Sequence, residues 1–260
     1  MDDAMVTRLR AAGCVFAEEE AALLAAAGGD RDALVARRER GEPLELVLGW
    51  ALFAGLRVPV APGVFVPRRR TELVAEVALA LAPAGGTMVD LCCGAGAIGG
   101  AVAYARPDLT VVAADIDPAA VDLAHALLAP LGATAIASDL DDALAHLRGL
   151  VDVVTACPPY VPTAQIPLMP REARDHEPVL ALDGGPDGLD LQRGVFAASS
   201  RLLRPGGACV VETSDALERL TVAAAAGAGL VPALERDDER GAVVVVARQA
   251  GASTSSSSRA

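Results

Sequence analysis

The sequence of 260 residues contains neither lysine nor asparagine, and it has only one Trp, two Tyr and four Phe. All 22 basic residues are therefore arginine. Without lysine, no side chain can act as a Schiff base or as a lysine general base. Lysine-dependent catalysis and any role for an asparagine amide are thus excluded.

Positive charge and long apolar segments are also scarce. The chain has 34 acidic residues and a net charge of −12, which gives no general attraction to phosphate backbones and disfavours nucleic acid as a partner. No apolar run of about 18 residues lacks charges, glycine or proline, and the acidic start MDDAMVTRLR is unlike a signal peptide. We therefore expect a cytoplasmic protein that does not enter a membrane.

The cysteines and histidines form no recognisable metal motif. Five cysteines are an odd number, and none belongs to a CxxC pair or to a Cys/His cluster with metal-ligand spacing. The three histidines are scattered along the chain. We therefore expect reduced thiols and no bound metal.

Four regions follow from the pattern of the chain. Residues 1–43 carry helix-forming stretches, and residues 44–70 are apolar with Gly and Pro interruptions, which predicts a hairpin linker. Residues 71–248 alternate between strand and helix patterns, with a long proline-rich loop from Cys157 to Gly188. Residues 249–260 are rich in serine and are predicted to be disordered. This organisation predicts one α/β domain with a short helical region before it.

The alternation in residues 71–248 predicts the type of sheet. Strand patterns such as TMVDL, LTVVAAD and VDVVTA are each followed by a turn and a helix pattern, and the chain closes with a strand pair. Such alternation is typical of a doubly wound, mostly parallel sheet with helices on both faces. Ligands of these sheets bind at the carboxyl ends of the strands, which directs attention to the residues there.

A glycine-rich turn follows the first strand of this sheet. Gly94, Gly96 and Gly99 spell GxGxxG, a pattern of dinucleotide sites, so a nicotinamide-dependent oxidoreductase is one alternative. However, Asp90 lies at the end of the strand, and Gly94 comes four positions after it. An acidic group there would repel a pyrophosphate and would suit a ligand that carries an amino group.

Acidic residues also follow the next two strands. Asp115 is placed to bind ribose hydroxyls, Asp139 to accept from an adenine amino group, and Leu140 to pack on the adenine ring. In this order they indicate an S-adenosylmethionine site, although both acids could instead cap the helices that follow. The predicted cofactor-binding residues are Asp90, Cys92, Gly94, Gly96, Asp115, Ile116, Asp139, Leu140 and Cys157.

The sequence Cys157-Pro158-Pro159-Tyr160 follows the fourth strand and resembles the Asn/Asp/Ser-Pro-Pro-Tyr/Phe motif of methyltransferases that act on amide or amino nitrogens. The first side chain and the first proline carbonyl of that motif accept hydrogen bonds from a planar NH₂ group. The aromatic ring packs on the group, and a nitrogen lone pair is left facing the methyl donor. Cys157, Pro158 and Tyr160 are the predicted catalytic residues.

Further motifs resemble the protein-(glutamine-N5) methyltransferase family, which modifies peptide-chain release factors. They agree in order over roughly residues 38–247, and they are RGEP (40–43), FVPR (65–68), TE (71–72), the turn after Asp90, DIDP (115–118), SD (138–139) and ALDGGPDGL (181–189). The resemblance implies a Rossmann-like class I methyltransferase fold, S-adenosylmethionine as methyl donor and S-adenosylhomocysteine as product. It also implies an N-terminal helical region joined by a hairpin.

Three features of the sequence depart from the family pattern. Cys157 stands where the family has asparagine, Cys92 replaces the first glycine of the turn, and the region before Arg40 is shorter than the family's substrate-docking bundle. A thiol accepts hydrogen bonds poorly, so Cys157 cannot hold an amide as asparagine would. The sequence therefore leaves two kinds of methylated substrate, a protein or a small molecule. The predicted substrate-binding residues are Pro158, Pro159, Tyr160, Glu172 and His176.

The alternatives depend on how Cys157 is used. The chain could be a small-molecule N- or O-methyltransferase with Glu172, His176 or Glu177 as general base, or a donor-binding paralogue of weak activity. A DNA or RNA aminomethyltransferase shares the Pro-Pro-Tyr logic, but the acidic charge disfavours it. A covalent role for Cys157 is a further alternative, although no partner histidine is evident.

Overall fold

The computed structural model describes residues 3–251, with the side chains of Arg171 and Glu172 excepted. Most of the predicted tail, from residue 252 onward, lies outside this part. Within residues 3–251 no helix is long and apolar enough to cross a bilayer.

The chain begins with four short helices, α1 (Asp3–Ala11), α2 (Ala17–Ala26), α3 (Arg31–Glu39) and α4 (Leu44–Leu48). They share a small apolar core of their own, which includes Leu9, Leu24, Val35 and Val47. The Asp30 side chain accepts a hydrogen bond from Ala33 N at the start of α3, which is a standard helix N-cap. We expect extended structure at residues 44–48, but these residues form helix α4. Pro43 caps the start of this helix, and Gly49, at φ 79°, ends it.

A β-hairpin follows, made of β1 (Trp50–Phe53) and β2 (Leu56–Pro59). Its two-residue turn uses Ala54 and Gly55, both with positive φ, which matches the twist of a tight hairpin. Phe53 is completely buried and joins the core beneath the main sheet. The hairpin is therefore packed on the sheet domain.

A seven-stranded sheet forms the centre of the molecule, with the order β5-β4-β3-β6-β7-β9-β8. Neighbouring strands are parallel except for β9, which runs antiparallel to both β7 and β8. The strands are β3 (Thr87–Leu91), β4 (Thr110–Asp115), β5 (Thr134–Ala137), β6 (Val151–Ala156), β7 (Leu203–Thr213), β8 (Val231–Asp237) and β9 (Ala242–Arg248). The predicted mostly parallel, Rossmann-like sheet is confirmed.

Helices cover both faces of this sheet, as the strand–helix alternation predicts. One face packs against α5 (Glu72–Leu81), α6 (Ala97–Ala105) and α7 (Pro118–Leu128). The other face packs against α9 (Asp190–Leu202) and α10 (Glu218–Gly227). The segment Asp142–Leu147, whose pattern predicts an α-helix, forms a 3₁₀-helix instead.

The predicted loop between β6 and α9 contains short helical turns, at Thr163–Leu168, α8 (Arg171–His176) and Val179–Ala181. Its two ends are tied together. Val161 and Asp183 form an isolated parallel bridge, and Gly184 N donates to Val161 O at 2.9 Å. The segment between these two points is thus a closed loop over the carboxyl end of β6.

Candidate active site

A cavity of about 520 Å³ lies at the carboxyl ends of β3, β4, β5 and β6. One side, called here the β3–β5 side, is made by residues 92–95, 97–98, 115–117, 120 and 138–140. The opposite side, called the β6 side, is made by residues 157–161, the segment 63–71 and the loop up to Leu182. The predicted site residues that line the cavity are Cys92, Gly94, Asp115, Ile116, Asp139, Leu140, Cys157, Pro158, Pro159 and Tyr160.

The structure does not bring Asp90 to this cavity. Its side chain is completely buried, accepting hydrogen bonds from Thr155 Oγ1 at 2.8 Å and from Gly99 N at 3.0 Å. Burial raises its pKa to about 7, and these two hydrogen bonds oppose the rise. Asp90 is the penultimate residue of β3, and its two hydrogen bonds place its side chain between the sheet and α6. There it connects β3 to β6 and to the start of α6.

Two further predicted residues, Gly96 and His176, also lie away from the lining. Gly96 begins α6 at φ 79°, and a Cβ there would lie 3.0 Å from the Ala124 Cβ, so this glycine permits close packing against α7. His176 is half-buried and is the last residue of α8. Glu172 belongs to α8, and its side chain lies outside the described part.

The β3–β5 side is organised by Asp115. Its two carboxylate oxygens accept from Gly94 N at 2.8 Å and from Asp117 N at 3.0 Å, which joins the end of β4 to the glycine turn after β3. Burial raises the pKa of Asp115, and the backbone N–H donors oppose that rise. Each carboxylate oxygen has a second lone pair, so Asp115 can still accept from a ligand hydroxyl.

The other residues on this side suit an adenosine group with an amino-acid tail. A Cβ on Gly94 would meet no atom within 4 Å, so the turn leaves room for a ligand against its backbone. Ile116 and Leu140 offer apolar surfaces, and the exposed carboxylate of Asp139 stands beside them. These residues fit S-adenosylmethionine, because they combine a hydroxyl acceptor, apolar walls for a flat ring and an open backbone turn.

The β6 side contains a closed hydrogen-bonded triangle. Tyr160 Oη donates to Glu212 Oε1 at 2.9 Å, Arg70 Nε donates to the same oxygen at 3.1 Å, and Arg70 Nη2 donates to Tyr160 Oη at 2.9 Å. Burial, together with the charge of Glu212, raises the pKa of the Tyr160 hydroxyl well above its usual range. The phenol is therefore neutral and held in one orientation.

Cys157 lies next to this triangle. Burial raises the pKa of its thiol well above the usual value, and the charge of Glu212 adds to the rise. The thiol is consequently protonated at neutral pH, whereas a nucleophilic cysteine needs the thiolate. This environment does not suit the covalent alternative.

The glycine motif at residues 184–188 packs closely against the backbone of Tyr160. A Cβ on Gly184 would lie 2.7 Å from the Tyr160 Cα, and one on Gly188 would lie 2.6 Å from the Tyr160 carbonyl oxygen. Both contacts are closer than a real Cβ permits. These two glycines therefore allow the loop to pack on the backbone of the Pro-Pro-Tyr segment.

A second ion pair, between Arg68 and Glu177, belongs to the lining of the cavity. Arg68 donates to Glu177 Oε1, and its guanidinium lies 5.3 Å from the centre of the Phe65 ring. The Glu177 side chain is only 2% exposed, and its Oε2 has no hydrogen-bond partner. Burial raises the pKa of Glu177, and Arg68 opposes the rise. Glu177 lines the cavity, whereas His176 does not.

Sequence reasoning missed Arg70 and Glu212 as parts of the site. Arg70 lies within an arginine triplet for which the family resemblance favours a structural role, and Glu212 is the penultimate residue of β7. A usable signal exists for Glu212, because a carboxylate near the carboxyl end of a central parallel strand lies at the ligand-binding edge.

Known proteins resemble the chain in sequence. The model of the methyltransferase small domain family matches residues 56–169. A release factor glutamine methyltransferase from Mycolicibacterium smegmatis is 41% identical over 194 residues, which are 74% of this chain and 68% of the relative. Another, from Bradyrhizobium diazoefficiens, is 35% identical over 252 residues, which are 85% of each chain.

One relative has a different acceptor in its name. The 4-amino-L-phenylalanine/4-methylamino-L-phenylalanine methyltransferase of Streptomyces pristinaespiralis is 37% identical over 185 residues, which are 68% of this chain and 63% of that protein. The identities and coverage of the first two relatives establish the family. The chain belongs to the release factor glutamine methyltransferase family, and it is an S-adenosylmethionine-dependent methyltransferase with the class I fold.

Proposed function

We propose that the chain methylates the side-chain amide nitrogen of a glutamine in a peptide-chain release factor. The observation that carries this proposal is the position of Pro158 and Tyr160, which line the same cavity as the residues of the β3–β5 side. The names of the relatives from Mycolicibacterium smegmatis and Bradyrhizobium diazoefficiens support it. Release factors act in the cytoplasm, so the proposal places the enzyme there.

In this proposal the β3–β5 side holds S-adenosylmethionine. Asp115 accepts from the ribose hydroxyls, Asp139 accepts from the adenine amino group, Ile116 and Leu140 pack on the adenine, and the open turn at Gly94 receives the amino-acid part. The donor supplies a methyl group on a positively charged sulfur. Because that sulfur is already a good leaving group, the proposed reaction uses no metal.

The β6 side orients the acceptor. The Pro158 carbonyl accepts one N–H of the target amide, and the Tyr160 ring packs on its plane. The sulfur of Cys157 accepts the second N–H, although sulfur is a weaker hydrogen-bond acceptor than an amide oxygen. The nitrogen lone pair is thereby directed to the β3–β5 side, and after the transfer one amide proton leaves to solvent. The contribution of the residues is positioning.

The test uses purified chain, methyl-labelled S-adenosylmethionine and purified release factor from the same organism. We expect one methyl group on a single glutamine, located by tandem mass spectrometry of the digested release factor. An Asp115→Ala variant is the inactive control, because it removes the ribose acceptor. An unlabelled release factor in the presence of active enzyme would contradict the proposal.

A second candidate is methylation of an aromatic amine on a small molecule. The relative from Streptomyces pristinaespiralis supports it, as does the absence of an amide side chain at position 157. The same assay with 4-amino-L-phenylalanine separates the two candidates. Transfer to this amine, with none to the release factor, would favour the second candidate.

A further inference from the structure

Three large apolar side chains are exposed on the closed loop between Val161 and Asp183. Leu168 is 81% exposed, Val179 59% and Leu180 63%. A single exposed leucine or valine is ordinary, whereas apolar side chains grouped at one place on a surface usually mark a binding site. These three residues are called the loop rim below.

The residues of the loop rim lie together at the mouth of the cavity. Leu180 itself lines the cavity. Met169, which follows Leu168, lines it too, and so does Pro178. Pro178 precedes Val179 in the sequence. Consecutive Cα atoms are about 3.8 Å apart, so Leu168 and Val179 lie beside the lining without belonging to it. The rim is therefore the edge between the β6 side and solvent.

Hydrogen bonds order the backbone that carries the loop rim. Val179 O accepts from Leu182 N at 3.0 Å and from Asp183 N at 2.9 Å. The ion pair between Glu177 and Arg68 attaches the loop to the segment before α5. A surface whose backbone is already fixed loses less conformational freedom when it binds a partner. The rim is thus prepared for binding although its side chains are in solvent.

The size of the acceptor decides whether it can contact the loop rim. A small molecule such as 4-amino-L-phenylalanine fits wholly within a cavity of about 520 Å³. A glutamine in a protein enters only with its side chain, so its main chain stays at the mouth. Each residue beside that glutamine extends the chain by about 3.3–3.6 Å. A protein acceptor is therefore large enough to cover both the mouth and the rim.

We propose that the loop rim is a docking surface for an apolar part of the protein acceptor, next to the glutamine that is methylated. The inference rests on the proposed function for the identity of that acceptor. A second copy of this chain is a poorer occupant, because it would cover the mouth of the cavity and keep the acceptor out. The rim thus distinguishes a protein acceptor from a small molecule, which does not extend beyond the mouth.

The test uses a rim variant that carries Leu168→Ser and Val179→Ser, because neither residue lines the cavity. Its affinity for the release factor is measured by calorimetry with S-adenosylhomocysteine present, so that no methyl group is transferred. If the complex covers about half of each exposed side chain, the rim variant should bind about twentyfold more weakly. Its kcat/KM for the release factor should fall by the same factor, while its affinity for S-adenosylmethionine should not change.

A matched control variant carries Leu150→Ser and Val231→Ser. These residues are of the same two types and are 60% and 64% exposed. Leu150 precedes β6, at the end of the strand away from the cavity, and Val231 begins the edge strand β8. The control variant should bind the release factor as the original chain does. Thermal melting checks that both variants are folded, which their exposed positions favour.

The outcomes separate this inference from the proposed function. If the original chain methylates the release factor and the rim variant binds it as tightly as the control variant does, the docking surface is refuted and the proposed function stands. If the original chain binds S-adenosylmethionine but leaves the release factor unmethylated, both are refuted. Sedimentation of the original chain examines the other occupant, and a dimer that dissociates in the rim variant would also overturn the proposal.

Discussion

Replacement of Asp115 tests the assignment of the β3–β5 side. In the structure this carboxylate accepts two backbone N–H bonds, from Gly94 and Asp117, and keeps lone pairs for a ligand. Asp115→Asn removes the charge and one acceptor oxygen while keeping the shape. Asp115→Ala also removes both backbone bonds, so the glycine turn loses its attachment to β4.

The expected losses follow from the strength of hydrogen bonds. A bond to a charged group contributes about 1.5–3 kcal/mol and a neutral one about 0.5–1.5 kcal/mol, so the Asn variant should bind S-adenosylmethionine about tenfold more weakly. In the Ala variant the N–H of Gly94 also loses its partner, at a cost of about 1–3 kcal/mol. That variant should bind at least about a hundredfold more weakly.

The assay is isothermal titration calorimetry with S-adenosylmethionine, alongside urea unfolding. Asp122→Asn is the control, because Asp122 belongs to α7 and does not line the cavity. If both Asp115 variants are folded and bind within about threefold of the original chain, Asp115 does not hold the donor, and the reasoning about this side of the cavity is wrong.

Three further outcomes are expected. Both Gly94 and Gly96 have positive φ, so an alanine strains the backbone at either position, but only the Cβ at position 96 would also meet Ala124. Gly96→Ala should therefore lower the free energy of unfolding by about 2 kcal/mol more than Gly94→Ala, whereas Gly94→Ala should weaken donor binding because Gly94 lines the cavity. Equal effects on urea unfolding would contradict this difference. Burial raises the pKa of Asp90 to about 7, so the folded state holds a proton that the unfolded chain releases above about pH 4. The free energy of unfolding should therefore fall as pH rises from about 4 to 7, by about 4 kcal/mol at most, and urea titrations of Asp90→Asn should lack this fall. Tyr160→Phe should lower kcat/KM for the acceptor about tenfold, because the hydrogen bonds to Glu212 and Arg70 are lost. Donor affinity, measured by calorimetry, should not change, and a similar loss of donor affinity would contradict the assignment of Tyr160 to the acceptor.

Local patterns predicted the sheet because each signal lies within one element. Asp117 and Pro118 at the start of α7 are a cap and a first helical residue, and the Asp117 side chain indeed accepts from Ala119 N. The strand ends that carry Asp115, Asp139 and Cys157 meet at one cavity because carboxyl ends of parallel strands share an edge.

Contacts between distant parts of the chain were not predictable in the same way. Arg70 and Glu212 are 142 positions apart, and no local pattern indicates that they meet. The orientation of Asp90 also depended on tertiary structure, because strand alternation decides which face a side chain takes but not which face holds the ligand. Residues 44–48 were misjudged because a short apolar run suits a buried helix as well as a strand.

The closed loop over β6 has a consequence for protein engineering. Since Val161 and Asp183 already join its two ends, the residues between them form a cassette whose length can change without moving the sheet, provided that Glu177 keeps its ion pair with Arg68. Loop closure becomes only slowly more costly as residues are added, so insertions there should be tolerated. A designer could exchange this cassette between family members and change which acceptors enter the cavity, while the donor-binding strand ends remain as they are.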